Sequence, residues 1–403
     1  MSFMSYSKSQ EILNALDVTN SRVESIFLND SQGRILAEDI VASNNYPEAV
    51  TASMDGYAIK FSDQDSGVIK VLGDNPAGSE NSEEVTNGTC IKTFTGSIMP
   101  IGADTLINIE NVTFKDNKIT IDEKVPLGFA TRPIAESYSK DDTLITKGVK
   151  ITFAEIGVMA GLNKVMVSVS LQPRVSILST GSELLDLGVE QTRSSQIRSS
   201  NSYTLQALAT QSGAKAVQMG CVKDDKASIK EAFENALECS DIVVSTGGVS
   251  VGDYDFVKDI IPALGAEVIY KGVNIKPGQH ILLAKYGKKF IVALPGFAYS
   301  STVTFILYVI PLIRKFLNFD QQSVIVEATL KETFNKRSKK SEFTTCNLSF
   351  EDGSYYVDFS QKKNGSSAIL TNMLGKQTAL LLTGESDGTL EKDTLVNVMK
   401  LEF

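Results

Sequence analysis

The stretch that most constrains this chain is residues 241–261, DIVVSTGGVSVGDYDFVKDII. Ile242, Val243 and Val244 form a continuous apolar run, the pattern of a strand buried on both faces. Gly247, Gly248 and Gly252 follow as a turn, and Phe256, Val257, Ile260 and Ile261 then fall at helical spacing. A strand, a glycine turn and a helix start together aim backbone N–H groups at an anion. Glycine suits such a turn because a Cβ blocks positive φ and close ligand approach. Asp253 and Asp255 come next, and carboxylates beside a phosphate cradle imply a bound cation or a proton transfer. The same residues also fit an ordinary strand-to-helix turn with Asp253 as the helix cap. Both readings stand on this stretch alone.

The surrounding segment, from Pro173 to about residue 318, alternates strand and helix. Strands are predicted over Val175–Ser179, Ala216–Cys221, Ile281–Ala284 and Phe290–Ala293. Helices are predicted over Ser202–Gln211 and Ser228–Leu237, with a long one ending near Leu317. Alternation of this kind predicts a parallel sheet covered by helices, with ligands at the carboxyl ends of the strands. Three more loops lie at such ends: Thr180-Gly181-Ser182-Glu183, Val222-Lys223-Asp224-Asp225 and Leu294-Pro295-Gly296. Each alone is explained by capping or turn chemistry. Together they favour one crevice with acidic metal ligands and a phosphate cradle.

Four segments are expected. Residues 1–44 with 142–172 form a connector, containing a helix over 5–19, a second helix ending near Gly33 and a strand from Arg34 to Val41. Residues 45–141 break into short strands separated by Gly, Asn, Asp and Ser, the pattern of an inserted, barrel-like β domain. Residues 173–318 are the α/β domain. Residues 319–403 are a C-terminal β domain, with a hairpin signal at Asp352-Gly353.

Composition narrows the chemistry. A net charge of −9 argues against a nucleic-acid partner. Cys90, Cys221, Cys239 and Cys346 have no short spacing, so neither a disulfide framework nor a thiolate zinc site is expected. With His280 the only histidine, His-based zinc sites and Ser-His-Asp catalysis are disfavoured. No apolar run reaches membrane-spanning length and the start MSFMSYSKSQEIL has no signal-peptide pattern, so no membrane association and a cytoplasmic location are expected.

SMDGYA at 53–58, FTGSIMPIGAD at 94–104, STGSEL at 179–184, STGGVSVGDYDFVK at 245–258, IKPG at 275–278 and ALPG at 293–296 together resemble the MoeA family, and are similar to the E domain of gephyrin. The resemblance runs nearly the whole chain, in order. It implies an elongated α/β and β multidomain protein: a three-layer α/β/α molybdopterin-binding domain, a β-barrel-like insertion and a C-terminal β domain. It implies a homodimer whose site is shared between the α/β domain of one subunit and the MDGYA-bearing domain of the other. The implied reaction inserts molybdenum from molybdate into adenylylated molybdopterin (molybdopterin-AMP), with Mg²⁺ and release of AMP.

The same resemblance implies catalytic roles for Asp55, Glu183, Asp224, Asp255 and Lys276, with Glu183, Asp224 and Asp255 as metal ligands. It implies substrate contacts from Thr95, Gly96, Arg132, Thr180, Gly181, Gly247, Gly248, Ser250, Gly252, Pro295 and Gly296. Gly247, Gly248 and Gly252 would let backbone N–H groups meet the pterin phosphate. Lys276 would neutralise an oxyanion, phosphate or molybdate. The chain departs from the family pattern at Ser182, Arg198-Ser199, Gly272, Gln279, Phe297-Ala298 and Ala135-Glu136-Ser137, each of which loses or displaces a charged group or alters a loop. The alternative reading is a catalytically altered paralogue that binds molybdopterin, or handles tungstate, as a carrier or scaffold.

Overall fold

The computed structural model describes residues 3–18, 22–79, 83–249, 256–363, 366, 368–375 and 377–401. The chain forms two compact units: Met1–Ile26, Ser31–Ala37 and Ser168–Phe403 in one, Phe27–Asp30 and Glu38–Val167 in the other.

The first unit contains the α/β domain. Its six-stranded sheet runs in the order Lys215–Val222, Arg174–Thr180, Ile242–Thr246, Lys289–Leu294, Leu282–Tyr286, Glu267–Lys271. The first four strands are mutually parallel. The expectation of a wholly parallel sheet fails at the other edge. Leu282–Tyr286 and Lys289–Leu294 are antiparallel, with Tyr286 opposite Lys289 across Gly287 at φ +59°. A two-residue reversal of that kind can only make a hairpin. The edge strand Glu267–Lys271, also antiparallel, is one that the sequence pattern did not signal.

The apolar run of 242–244 is used on both faces. Ile242 and Val244 join Leu205, Ala209 and Val303 in one core, while Val243 joins Ile229, Phe233, Val257 and Ile261 in the other. All three residues are fully buried, each side chain stabilising the fold by about 1.5–3 kcal/mol. Helix, sheet and helix therefore make three layers. The helix Tyr6–Ala15, capped by the Ser5 hydroxyl, also sets Leu13 into the first of these cores.

Carboxyl to the α/β domain, five strands close into a barrel: Ser341–Glu351, Ser354–Asp358, Ile325–Leu330, Leu395–Lys400 and Thr378–Thr383, the last pairing back to the first. Ile275–Lys276 leaves the α/β domain to add a short parallel pairing to Ser341 and Glu342 of that barrel.

In the second unit the insertion forms one six-stranded sheet, in the order Thr105–Asn108, Gly56–Ile59, Thr89–Thr93, Val68–Asn75, Lys118–Ile121, Val112–Lys115. Tyr57, Ile59, Ile69, Cys90, Ile107 and Ile119 make its core. The connector differs from expectation. Where a second helix was expected to end near Gly33, Val23–Phe27 is a strand followed by a 3-10 turn at Leu28–Asp30. Only Ile40–Val41 of the Arg34–Val41 segment is a strand, paired with Thr143–Ile145. VESIF carries alternating, β-branched character rather than a helical stripe, which is why the extended form wins.

Candidate active site

The order of the α/β sheet fixes where a ligand can enter. From the strand Arg174–Thr180 the chain moves to one side for Lys215–Val222, then crosses to the other side for Ile242–Thr246. The switch point is therefore between the carboxyl ends of Arg174–Thr180 and Ile242–Thr246, the place where sheets of this order take their ligands. Register places the four strand ends in one row: Thr180 opposite Val222, Ser179 opposite Thr246, and Thr246 opposite Leu294. The loops carrying Gly181, Asp224, Gly247 and Gly296 thus leave from a single sheet edge.

Glycine is required at this edge. Gly247 has φ +91°, and a Cβ there would lie 2.7 Å from the Thr180 carbonyl oxygen. Gly248 has φ +68°, and its Cβ would lie 2.7 Å from Val257 Cγ2. An added Cβ on Gly296 would sit 3.6 Å from the Gly247 Cα, so the ALPG and GGVS loops pack backbone on backbone. The Gly247 N–H donates to the Leu294 carbonyl at 3.1 Å and the Gly181 N–H to the Val222 carbonyl at 3.2 Å.

A chain of buried hydroxyls underlies the crevice. Ser199 Oγ meets Ser202 Oγ at 2.9 Å, Ser202 meets Ser179 Oγ at 2.8 Å, and Ser179 meets Thr246 Oγ1 at 3.2 Å. Thr180 Oγ1 donates to the Thr246 carbonyl at 3.3 Å. Asn201 Nδ2 donates to the Gly296 carbonyl at 2.8 Å. The start of the helix Ser200–Gln211 is thereby tied to three of the four loops. Sequence patterning did not find this scaffold, because a serine carries no periodic or spacing signal.

The carboxylates divide their work. Asp225 caps the helix Lys226–Cys239, accepting from the Ser228 N–H at 2.9 Å, a bond that holds its pKa below the ordinary carboxylate value. Asp224 instead accepts from the Ser182 N–H at 3.2 Å, bringing the second strand-end loop against the first. The Glu183 carboxylate folds over Gly181, its oxygens 2.8 Å from where a Cβ would stand. Glu183 and Asp224 therefore flank the same TGSE loop. Asp255, Ser250 and Gly252, named with them in the sequence, lie outside the described residues. Among the described residues no group of three or more His, Cys, Asp or Glu side chains is placed to hold a metal.

Lys276 lies elsewhere than beside those carboxylates. Its Nζ pairs with Glu342 Oε1 at 2.8 Å, and Glu342 also accepts from Ser338 Oγ at 2.8 Å. Lys276 lines a cavity of about 430 Å³ with Arg337, Lys362 and Lys363 of the C-terminal domain, over the aromatic rings of Phe334, Phe359 and Tyr299. Tyr299 stands on the helix Ala298–Thr304, which begins directly after the Gly296 loop. Gly278, φ +95°, lets the KPG turn pack against Thr304 of the same helix. The Lys276 turn and the ALPG loop are thus braced on one helix. Arg337, Lys362 and Lys363 were missed from sequence; in a β-rich tail, isolated cations look like solvated surface.

In the second unit, Asp55 accepts two bonds from Thr95, from its N–H at 2.8 Å and from Oγ1 at 2.7 Å. The backbone bond first and the hydroxyl bond second hold the Asp55 carboxyl below its ordinary pKa. Gly96, φ +81°, donates its N–H to the Ala52 carbonyl at 2.8 Å. Arg132 pairs with Thr51 in a short antiparallel ladder, and its Nε donates to Glu136 at 2.5 Å. Asp55, Thr95, Gly96 and Arg132 therefore belong to one neighbourhood of this unit.

Several departures from the family pattern have local explanations. The Ser182 backbone, rather than its side chain, makes the bond to Asp224. Gln279 is held by Lys340 and His280. Gly272, φ +79°, carries Phe3 over the space that a side chain would fill. Arg198 NH1 donates to the Asp186 carbonyl at 2.9 Å, tying down the loop after Glu183.

A three-layer α/β domain with glycine loops at its switch point and a closed β barrel in one unit, with a second β-rich unit beside them in the chain, defines the class: a multidomain α/β and β protein whose sheet order is that of a ligand-binding domain. Residues 4–162 match the MoeA N-terminal region (domain I and II), and residues 176–315 match a probable molybdopterin binding domain. The chain is 31% identical over 377 residues to a molybdopterin molybdenumtransferase of Nostoc sp., covering 91% of this chain and 86% of that one. It is 32% identical over 340 residues to a molybdopterin molybdenumtransferase of Haemophilus influenzae, covering 84% and 82%. The crystal structure of the molybdopterin biosynthesis moeA protein from Pyrococcus horikoshii aligns with a TM-score of 0.83 at 28% identity, over 99% of this chain and 100% of that one. The chain belongs to the MoeA family of molybdopterin molybdenumtransferases. No described helix is long and apolar enough to cross a membrane.

Proposed function

We propose that this protein transfers molybdenum from molybdate to adenylylated molybdopterin and releases AMP. The observation that carries the reading is the alignment of four functional strand ends at one switch point, in a chain of this family. In this reading the backbone N–H groups that follow Gly247, whose own N–H is held by the Leu294 carbonyl, take the pterin phosphate. The Lys276 cavity takes the tetrahedral oxyanion, because Lys276, Arg337, Lys362 and Lys363 outnumber Glu332 and Glu342 in its lining. They do so although Lys276 is paired with Glu342 and the Lys362 ammonium is bonded to Asn372, Leu374 and Thr378.

The described donor set suits Mg²⁺. Glu183 and Asp224 offer hard oxygen ligands at one loop, and Mg²⁺ is commonly held by one or two carboxylates together with substrate phosphates. When bound, the ion would neutralise charge on the pyrophosphate. The protein's own part is to hold the pterin end on its backbone, fix the two carboxylates through Gly181 and Ser182, and present Lys276 to the oxyanion.

The Asp55 cluster is assigned to a site completed in a homodimer, with the Asp55 of one subunit serving the α/β crevice of the other. The cluster supports this by being a rigidly held, ionised carboxylate that lines neither of the cavities described above or below.

The decisive experiment incubates purified protein with adenylylated molybdopterin, Mg²⁺ and either molybdate or tungstate. AMP release dependent on the oxyanion is expected; release no greater than background rejects the reading. Tight molybdopterin binding without AMP release would select the carrier alternative. Mixing Asp55→Ala with Asp224→Ala tests the shared site. Randomly reassorted dimers carry one intact site in every mixed pair, so about a quarter of wild-type turnover should return. No recovery from a mixture shown to contain mixed dimers rejects it.

A further inference from the structure

A second cavity, about 420 Å³, opens between the N-terminal helix, the end of the helix Ile310–Phe316 and the first and last strands of the C-terminal barrel. Nothing in the proposed reaction uses it. Its floor holds Arg314, only 8% exposed. Among the described residues the guanidinium makes one bond, NH1 to the Gln321 carbonyl at 2.9 Å, and no ion pair with a carboxylate. Burial pulls its pKa down. A buried cation with no ion-pair partner among the described residues is costly to keep unless an anion reaches it.

The neighbours decide which anion. Lys315 supplies no second free cation, because its Nζ is taken by the carbonyls of Asn14 at 2.7 Å and Leu16 at 3.2 Å. Asp320 lines the same cavity, which opposes a dianion. Gln322 offers a side-chain amide, that of Gln10 being bonded to the Leu307 carbonyl at 3.3 Å, while Leu307, Phe319, Ile325 and Met399 present apolar walls. A planar guanidinium with amide neighbours matches a carboxylate in bidentate geometry. A concave cavity of this size, lined by polar and apolar groups in about equal measure, is large enough to take a small molecule.

We infer that this cavity binds a small organic carboxylate, a monoanion with an apolar body, seated on Arg314. The ligand would bridge the N-terminal helix, the α/β domain and the barrel, so its binding stabilises their packing by mass action.

The probe is 4-fluorobenzoate, followed by ¹⁹F NMR line broadening on the full-length protein, with 4-fluorobenzyl alcohol as the neutral control and inorganic phosphate as competitor. Saturable binding of the carboxylate is expected, at least about tenfold tighter than the alcohol. Arg314→Gln should weaken it by about tenfold or more. Because that variant removes a buried side chain and can lose stability, Ile325→Trp is the second test. Ile325 is 52% exposed at the mouth, so the larger ring blocks entry while the fold and the AMP-release activity stay unchanged. No binding up to millimolar probe, binding indifferent to Ile325→Trp, equal binding of the alcohol, or stronger competition by phosphate than by benzoate each overturns the proposal.

Discussion

The switch-point crevice and the Lys276 cavity lie in the same unit and are braced by the same helix, yet they are built on opposite plans. The crevice is made of backbone: glycines at positive φ, N–H groups, and two carboxylates attached to adjacent loops. The cavity is lined by long side chains from positions 276, 337, 362 and 363 and by aromatic rings. A backbone cradle is fixed once the sheet is formed and holds one shape of ligand end. Charges carried on long side chains, some already tied to neighbours as Lys276 is to Glu342 and Lys362 to Asn372, suit a compact oxyanion whose charge matters more than its shape. That difference is the ground for proposing the organic substrate for the first and the inorganic one for the second.

The largest effect should come from the crevice. Asp224→Ala removes one of the two described carboxylates beside the TGSE loop and leaves the Ser182 N–H without its acceptor. Turnover in the AMP-release assay should fall by about 100-fold, with thermal stability little changed because the site is solvent-exposed. If turnover persists, the contrast breaks, and the crevice is only a binding cradle. The Lys276→Ala change should be smaller and different in kind. It removes one cation of several, so the molybdate concentration at half-saturation should rise by about 10-fold, the order of one charge-assisted bond, while molybdopterin affinity measured by fluorescence quenching stays the same. A variant that loses molybdopterin instead would mean the two substrates share one pocket.

The same contrast explains what the sequence disclosed. Gly247, Gly248 and Gly181 are legible because each is a local demand: a turn of given φ at a strand end leaves a glycine in place. The apolar run Ile242–Val244 is legible for the same reason, a strand that meets helices on both faces. The antiparallel edge was not legible, since strand direction is set by the Gly287-Lys288 reversal rather than by composition. The cationic cavity was not legible either. Lys276 and Glu342 are 66 positions apart, and no periodicity links them; only the parallel pairing of Ile275–Lys276 with the barrel brings them together. The resemblance supplied Lys276 by position, and the structure supplied its partners.

Asp55 combines both plans, a side chain fixed by a backbone donor forty positions away, and offers the finest test. Thr95 holds this carboxylate below its ordinary pKa, the N–H contributing more than the hydroxyl. A depressed carboxylate adds stability that is fully present above its unfolded pKa and is lost as pH falls through the folded value. Thr95→Val keeps the β-branched shape and the N–H bond and removes only the Oγ1 bond. The Asp55 carboxyl, titrated by ¹³C NMR, should move part of the way back toward the ordinary value. Any gain in acid stability from the hydroxyl should vanish only at pH values below that of an unperturbed aspartate. Turnover at neutral pH should fall no more than about 3-fold, because Asp55 stays ionised there and loses orientation rather than charge. An unmoved titration would show that the backbone alone fixes this carboxylate. Asp55 would then belong with the glycine-built crevice rather than with the side-chain cavity.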